Sequence, residues 1–253
     1  MAVSRDQLET ELNQLLKPEQ FSDYCPNGLQ VEGRAEIKKL VSGVTASQAL
    51  IDAAISANAD AILVHHGYFW RGEDQSVRGM KKARLIALLE NGISLFAYHL
   101  PLDAHMELGN NVQLATLLNI TISGELGRQN NHPLGLIGEL EAATSATEFA
   151  VHLRDKLKRE PLLVAGGEHS IKRVAWCTGA AQGFIEQAVS AGVDAYITGE
   201  VSEPTVHVAR EAGIHFYAAG HHATERYGVQ AVGNYLAQKF GLEHGFIDIE
   251  NPA

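Results

Sequence analysis

Two stretches of this chain match each other at spaced positions, in the same order. "LVSGVTASQALIDAAISANADAILVHHG", from Leu40 to Gly67, is answered by "RVAWCTGAAQGFIEQAVSAGVDAYITGEV", from Arg173 to Val201. At a separation of 134 positions, Ile51 meets Ile185, Ala54 meets Ala188, Ser56 meets Ser190, Ala57 meets Ala191, Asp60 meets Asp194 and Ala61 meets Ala195. Further on, at a separation of 121, Glu90, Gly92, Ile93 and Ala97 meet Glu211, Gly213, Ile214 and Ala218. The change of separation marks an insertion in the first half, most simply the loop 67–80. Ordered matches flanking equivalent apolar runs point to internal duplication, so a unit built once is built twice. The expected division is a first α/β repeat over 1–126 and a second over 127–253.

Within each repeat, strand-length apolar runs alternate with helical patterns. "KKLVSGVT" (38–45), "ADAILVHHG" and "ISLFAYH" read as strands, while "SQALIDAAISAN" and "MKKARLIALLENG" read as helices. Aliphatic runs without polar alternation indicate strands buried on both faces, which gives an α/β fold with mostly parallel sheets. Between the repeats, Gly, Asn and Pro mark loops near 127–135 and 165–170. Ser145 followed by Glu148 fits a capping box opening the helix "TEFAVHLRDKLK".

Charge and composition narrow the function classes. The 253 residues carry 30 acids against 20 bases, a formal net charge of -10. That disfavours general binding to nucleic acid or anionic membrane, which want a positive field. The basic stretch "VRGMKKAR" (77–84) reads as the solvated face of a helix. No apolar run is long enough to cross a bilayer, and "MAVSRDQLETELNQLL" reads as an amphipathic helix rather than a signal peptide. Cys25 and Cys177 are the two cysteines, so there is no disulfide framework and no paired-cysteine zinc site. A cytoplasmic location is expected. Twelve histidines are many for this length and direct attention to metal chemistry.

The run "ILVHHGYFW" raises a local problem, because neighbouring side chains on a strand point to opposite faces. His65 and His66 share a task only if the strand ends there and the backbone turns, which Gly67 permits. A core histidine beside a solvated one is the plain alternative, and the pair alone does not decide. The duplication adds context, since ligands in α/β sheets bind at the carboxyl ends of strands. The next strand of the first half ends in "YHLPLDAH", offering His99 and Asp103. In the second half the corresponding ends are "TGEV", offering Glu200, and "GHHATER", offering His221, His222 and Glu225. His221 and Glu225 are four apart and share one face of a helix, with His222 turned toward a supporting position or solvent. Imidazole with carboxylate suits zinc, iron, manganese, cobalt or nickel. Tyr68, Phe69 and Trp70 read as packing residues, "PNGLQVEG" as a structural turn, and the two thiols as ordinary buried cysteines.

"SDYCPNGLQVEG", "ILVHHG", "YHLPLDAH", "DAYITGEVSE" and "AAGHHATER" resemble, in this order, the NGG-interacting-factor-like dinuclear-metal proteins, known as type-2 homologues of GTP cyclohydrolase I. The resemblance spans the chain and is closest to compact bacterial members. It implies two intertwined, duplicated α/β repeats and a toroidal homohexamer with metal pairs facing an internal cavity. It implies two divalent transition-metal ions per chain, held by His65, His66, Asp103, His221 and Glu225. His99 and Glu200 match positions near the metals and take catalytic, proton-transferring roles. The implied activity is a metal-dependent hydrolase acting on a nucleotide such as GTP. The other class is a non-catalytic hexameric metal-binding scaffold or regulator, linked to DNA damage or nucleic-acid ends.

Overall fold

Ser4 opens the first helix with a reciprocal cap. Its hydroxyl accepts from Gln7 N at 3.1 Å, and the Gln7 side chain accepts from Ser4 N at 3.2 Å. Leu8, Leu12 and Leu16 then recur every fourth residue and are buried, fixing the inward stripe. Ser145 and Glu148 form the same box, as the sequence indicated. The computed structural model describes residues 2–130 and 132–253.

In chain order the elements are β1 (Val3–Ser4), α1 (Arg5–Leu16), β2 (Gly28–Val31), β3 (Glu36–Ile37), β4 (Lys39–Thr45), α2 (Gln48–Ser56), β5 (Ala61–His66), α3 (Gly79–Glu90), β6 (Ser94–Ala97) and α4 (Leu100–Ala104). There follow α5 (Asn110–Leu118), β7 (Thr121–Gln129), β8 (His132–Thr144), α6 (Ala146–Leu157), β9 (Leu162–Val164), β10 (Ile171–Trp176) and α7 (Ile185–Ser190). The chain ends with β11 (Ala195–Thr198), α8 (Glu203–Ala212), β12 (His215–Ala218), α9 (His221–Thr224), α10 (Arg226–Phe240) and β13 (Glu243–Phe246).

The chain forms two compact units. The first runs to Leu102 and takes up Gly228–Glu250; the second is Asp103–Tyr227 with Asn251–Ala253. These bounds differ from the 1–126 and 127–253 division of the duplicated sequence. The reason is β13, which pairs parallel with β4 and completes the first unit's sheet in the order β13-β4-β5-β6-β2. The second sheet runs β7-β8-β10-β11-β12-β9.

Each sheet has the same centre, down to register. Leu40 faces Ala61 and Ala61 faces Ser94 in the first unit; Val174 faces Ala195 and Ala195 faces His215 in the second. The edge strands also agree, antiparallel in both, with Leu29 opposite Phe96 and Leu163 opposite Tyr217. Asp60 and Asp194 do one job twice. Asp60 Oδ2 accepts from Lys38 N at 2.8 Å and Lys39 N at 2.9 Å, and Asp194 Oδ2 from Lys172 N at 2.8 Å and Arg173 N at 2.7 Å. Each carboxylate thus anchors the start of the strand beside its own. Gly92 and Gly213 turn the chain from helix into β6 and β12 with φ of 61° and 71°, a region where a side chain is strained.

Two expectations need correction. The first sheet is mostly parallel, with one antiparallel edge, but the second is mixed. The parallel centres are flanked by the antiparallel edges β2 and β9, and β10 pairs with antiparallel β8. The described residues near 127–135 are also largely strand rather than loop: β7 and β8 pair antiparallel there, with Gly127 at φ 63° and Asn130 at φ 48°. Gly and Asn are as usual at a hairpin end as in a loop, so composition could not separate the two.

Buried aliphatic faces hold each unit together. Leu50, Ile51, Ile62, Val64, Leu88 and Leu95 lie in the first unit's core, and Leu153, Val174, Trp176, Ile197 and Tyr217 in the second's. Each such side chain contributes about 1.5–3 kcal/mol of burial. Among the described residues, no helix is long and apolar enough to cross a membrane.

Candidate metal centre

In the first unit, β5 delivers His65 and His66 to one place despite their alternate directions. His65 is fully buried, and its Nδ1 donates to Tyr98 O at 3.0 Å. Since a carbonyl only accepts, the proton is on Nδ1 and Nε2 carries the lone pair. His66 is half-buried, with Nδ1 3.2 Å from Thr45 Oγ1. Their ring centroids are 4.5 Å apart. Gly67 matters for space rather than for a left-handed turn. A Cβ there would overlap Gln30 Oε1 and lie 2.6 Å from Ala97 Cβ. Gln30 needs that space, for it accepts from Tyr68 N at 2.7 Å and donates to Pro26 O at 2.7 Å.

His99, just beyond β6, joins the pair with its ring 5.0 Å from His65 and 5.7 Å from His66. Ligand nitrogens of His65, His66 and His99 all lie within 4.8 Å of one another. His99 Nδ1 is 2.7 Å from Asp23 Oδ1, a residue whose role the sequence left unread. Gly28, at φ 114°, opens β2, and Asn27 before it serves the site: its Oδ1 accepts from His99 N at 2.6 Å. Burial pushes the Asp23 carboxyl up, but hydrogen bonds from His99 and Asn27 and the charge of His99 outweigh it and hold the group below its ordinary value. Burial, helped by Asp23, pushes the Cys25 thiol up to about 12, so it stays protonated. Tyr68 is buried and donates to Ala46 O at 2.7 Å, while the half-buried Trp70 sets its ring edge-on to His99 at 5.0 Å.

In the second unit, Thr-Gly pairs follow β10 and β11. The backbone continues pairing past the strands: Gly199 N donates to Gly179 O at 2.8 Å and Gly220 N to Gly199 O at 3.0 Å. This ladder delivers His221 at the first position of α9. Its Nδ1 is 2.7 Å from Glu200 Oε1, and its Nε2 is 3.2 Å from Glu225 Oε2 across the expected four-residue spacing. A Cβ at Gly199 would lie 2.5 Å from His221 Cα, and one at Gly179, where φ is 70°, would overlap Glu225 Oε1. Both glycines are therefore part of the site, and the repeated Thr-Gly was their unread signal. His222 is buried, which removes the solvent alternative for it.

Asp103 is also buried. Its Oδ1 accepts from Asn110 Nδ2 at 2.9 Å and from Thr178 Oγ1 at 3.2 Å. Asn111, itself buried, donates to Asp103 O at 3.2 Å and accepts from Thr178 N at 3.1 Å. The sequence signal here was two polar residues opening an apolar helix.

Burial alone would lower the His221 pKa, but Glu225 and Glu200 outweigh it and raise it from 6.5 to about 9. An imidazole gripped by two carboxylates is held as a cation, and a divalent cation would replace that proton. The donor set fits such an ion. In His65, His99 and His221, Nδ1 is committed to a carbonyl or carboxylate, the arrangement that orients metal-binding imidazoles. The donors are nitrogen and carboxylate oxygen, suited to first-row divalent ions.

The chain is similar to known proteins along nearly its whole length. A family model described as Duf34/NIF3 (NGG1p interacting factor 3) matches residues 3–252. A protein of Pseudomonas aeruginosa named GTP cyclohydrolase 1 type 2 homolog is 60% identical over 253 residues, covering 100% of both chains. A solved structure of protein ybgI, described as of unknown function, is 53% identical and covers 99% of this chain and 100% of that one with a TM-score of 0.95. A solved Thermus thermophilus protein, TTHA1606, is 32% identical, with a TM-score of 0.88 over 99% of this chain and 100% of that one. With the family model spanning all but the ends and the identity sustained along the full length, the chain belongs to the Duf34/NIF3 family.

Proposed function

We propose that this chain is a metal-dependent hydrolase acting on a nucleotide, with two divalent transition-metal ions held by His65, His66, Asp103, His221 and Glu225. The observation that carries the proposal is the gathering of ring nitrogens of His65, His66 and His99 within 4.8 Å of one another, with Nδ1 of His65, His99 and His221 each oriented by a carbonyl or carboxylate. The naming of relatives makes GTP the first substrate to try. That the imidazole-rich and carboxylate-rich halves serve the same ions rests on the motif order shared with the family.

Ions so held supply Lewis acidity toward a phosphate or carbonyl oxygen and lower the pKa of water. The protein's own groups do the rest. Glu200, hydrogen-bonded to His221 Nδ1, keeps that imidazole's Nε2 facing Glu225. Asn110 and Thr178 hold the Asp103 carboxylate in one orientation. His99 is the group placed to move protons, with its nitrogen near His65 and His66. The toroidal hexamer and its internal cavity belong to the same proposal, and light scattering should give six chain masses.

Purified metal-loaded protein should turn over a member of a nucleotide panel, and Asp103→Asn should abolish that turnover. Equal turnover in the variant would sink the hydrolase role of this site. Two ions bound with no turnover on any nucleotide would favour the scaffold reading instead.

A further inference from the structure

We propose that Asp23 is the positioning residue for His99, locking its imidazole in the form that carries hydrogen on Nδ1 and presents a lone pair on Nε2 beside His65 and His66. This rests on the hydrolase reading for its consequence, but not for its geometry.

The Asp23 carboxylate is saturated. Oδ1 accepts from Tyr24 N at 2.6 Å and His99 Nδ1 at 2.7 Å; Oδ2 accepts from Asn27 Nδ2 and Leu100 N, each at 2.9 Å. Its side chain is 3% exposed. Three of these partners, the backbone N–H groups of Tyr24 and Leu100 and the Asn27 side-chain amide, can only donate, and a carboxylate held by three N–H donors is kept ionised, an acceptor toward His99. His99 Nδ1 must then be a donor, and in the neutral ring the remaining lone pair is on Nε2.

The frame around the pair resists reorientation. Asn27 bonds Asp23 through its amide and His99 N through its carbonyl oxygen, at 2.9 and 2.6 Å. Leu100, the next residue, donates to the same carboxylate. One short loop therefore holds both the main chain and the ring of His99. Trp70, edge-on at 5.0 Å, borders the ring on another side.

The consequence is that Asp23 fixes which ring nitrogen of His99 acts: Nδ1–H is spent on the carboxylate, and Nε2 is the nitrogen presented. The second unit offers a parallel in His221 and Glu200, also 2.7 Å apart, with the carboxylate drawn from a neighbouring strand end.

The test is nitrogen NMR of the histidine rings in zinc-loaded full-length protein, with His99 identified by the signals missing in His99→Gln. Wild type should show a protonated Nδ1 and an unprotonated Nε2 for His99. Asp23→Asn should mix the two forms and lower kcat about 100-fold or more, with KM within about threefold and zinc content unchanged. A proton on Nε2 in wild type would overturn the proposal, as would Asp23→Asn that keeps both the ring form and kcat. A changed ring form with wild-type kcat would also overturn it. If Asp23→Asn fails to fold, the wild-type ring form decides alone. If no nucleotide is turned over, the hydrolase reading fails while the ring form still tests Asp23.

Discussion

The two units use one scaffold and fill it with different donors. Where the scaffold needs a residue, both keep it: Asp60 and Asp194 each anchor the start of the neighbouring strand through two backbone N–H groups. Where the strand ends at the site, they part. His65 and His66 of the first unit stand 134 positions before Gly199 and Glu200 of the second. The first unit therefore gathers imidazoles, and the second a histidine gripped by carboxylates with glycines making room. Shared geometry with divergent strand ends gives one chain both an imidazole-rich and a carboxylate-rich donor set.

The strongest way to break the comparison is to give Gly199 a side chain. A Cβ there meets His221 Cα and, at 2.7 Å, Gly179 O; both are backbone atoms that cannot swing aside. Gly199→Ala should cost about 2–4 kcal/mol in urea unfolding and displace His221 from its position. Wild-type stability in that variant would show that the glycine ladder is not needed.

The anchoring aspartates should behave alike. Asp60→Asn and Asp194→Asn should each lower stability by about 1–3 kcal/mol and leave metal content unchanged. Asp60 should sit at the upper end, because Arg34 also pairs with it at 2.7 Å. A large effect at one site with none at the other would end the claim of equivalent scaffold roles.

pH separates the halves further. In metal-free protein the His221 pKa is raised from 6.5 to about 9, so its cation stabilises the fold. That contribution is complete below the unfolded value of 6.5 and is lost as pH rises through about 9. Metal uptake should run the other way, releasing a proton and tightening by up to about tenfold per pH unit until that point. Calorimetry in buffers of different ionisation enthalpy measures the proton count; uptake without proton release below about pH 8 would contradict it. The smallest effect concerns Cys25, whose thiol, pushed up to about 12, should react with iodoacetamide at about pH 8 far more slowly than a free cysteine.

Much of this was legible beforehand, for identifiable reasons. The match at a separation of 134 positions foretold equivalent strands because buried strands and their helices repeat apolar spacing, and even the register of Leu40 with Ala61 recurs in Val174 with Ala195. The His221–Glu225 pair was legible because a helix sets the four-residue spacing. Asp23 was not, since it meets His99 from 76 positions away and only the fold joins them. Asn110, Asn111 and the two glycines of the ladder act through long-range packing, which leaves no local period. The antiparallel edges stayed hidden because an apolar run states burial but not direction.

Metal content per chain is the most direct measurement of the dinuclear proposal. Plasma mass spectrometry on wild-type protein, prepared without chelator and offered zinc, iron or manganese, should find about two transition-metal ions per chain, falling in His221→Ala. Wild-type protein that binds none, or His221→Ala that keeps both, would contradict the five-residue centre.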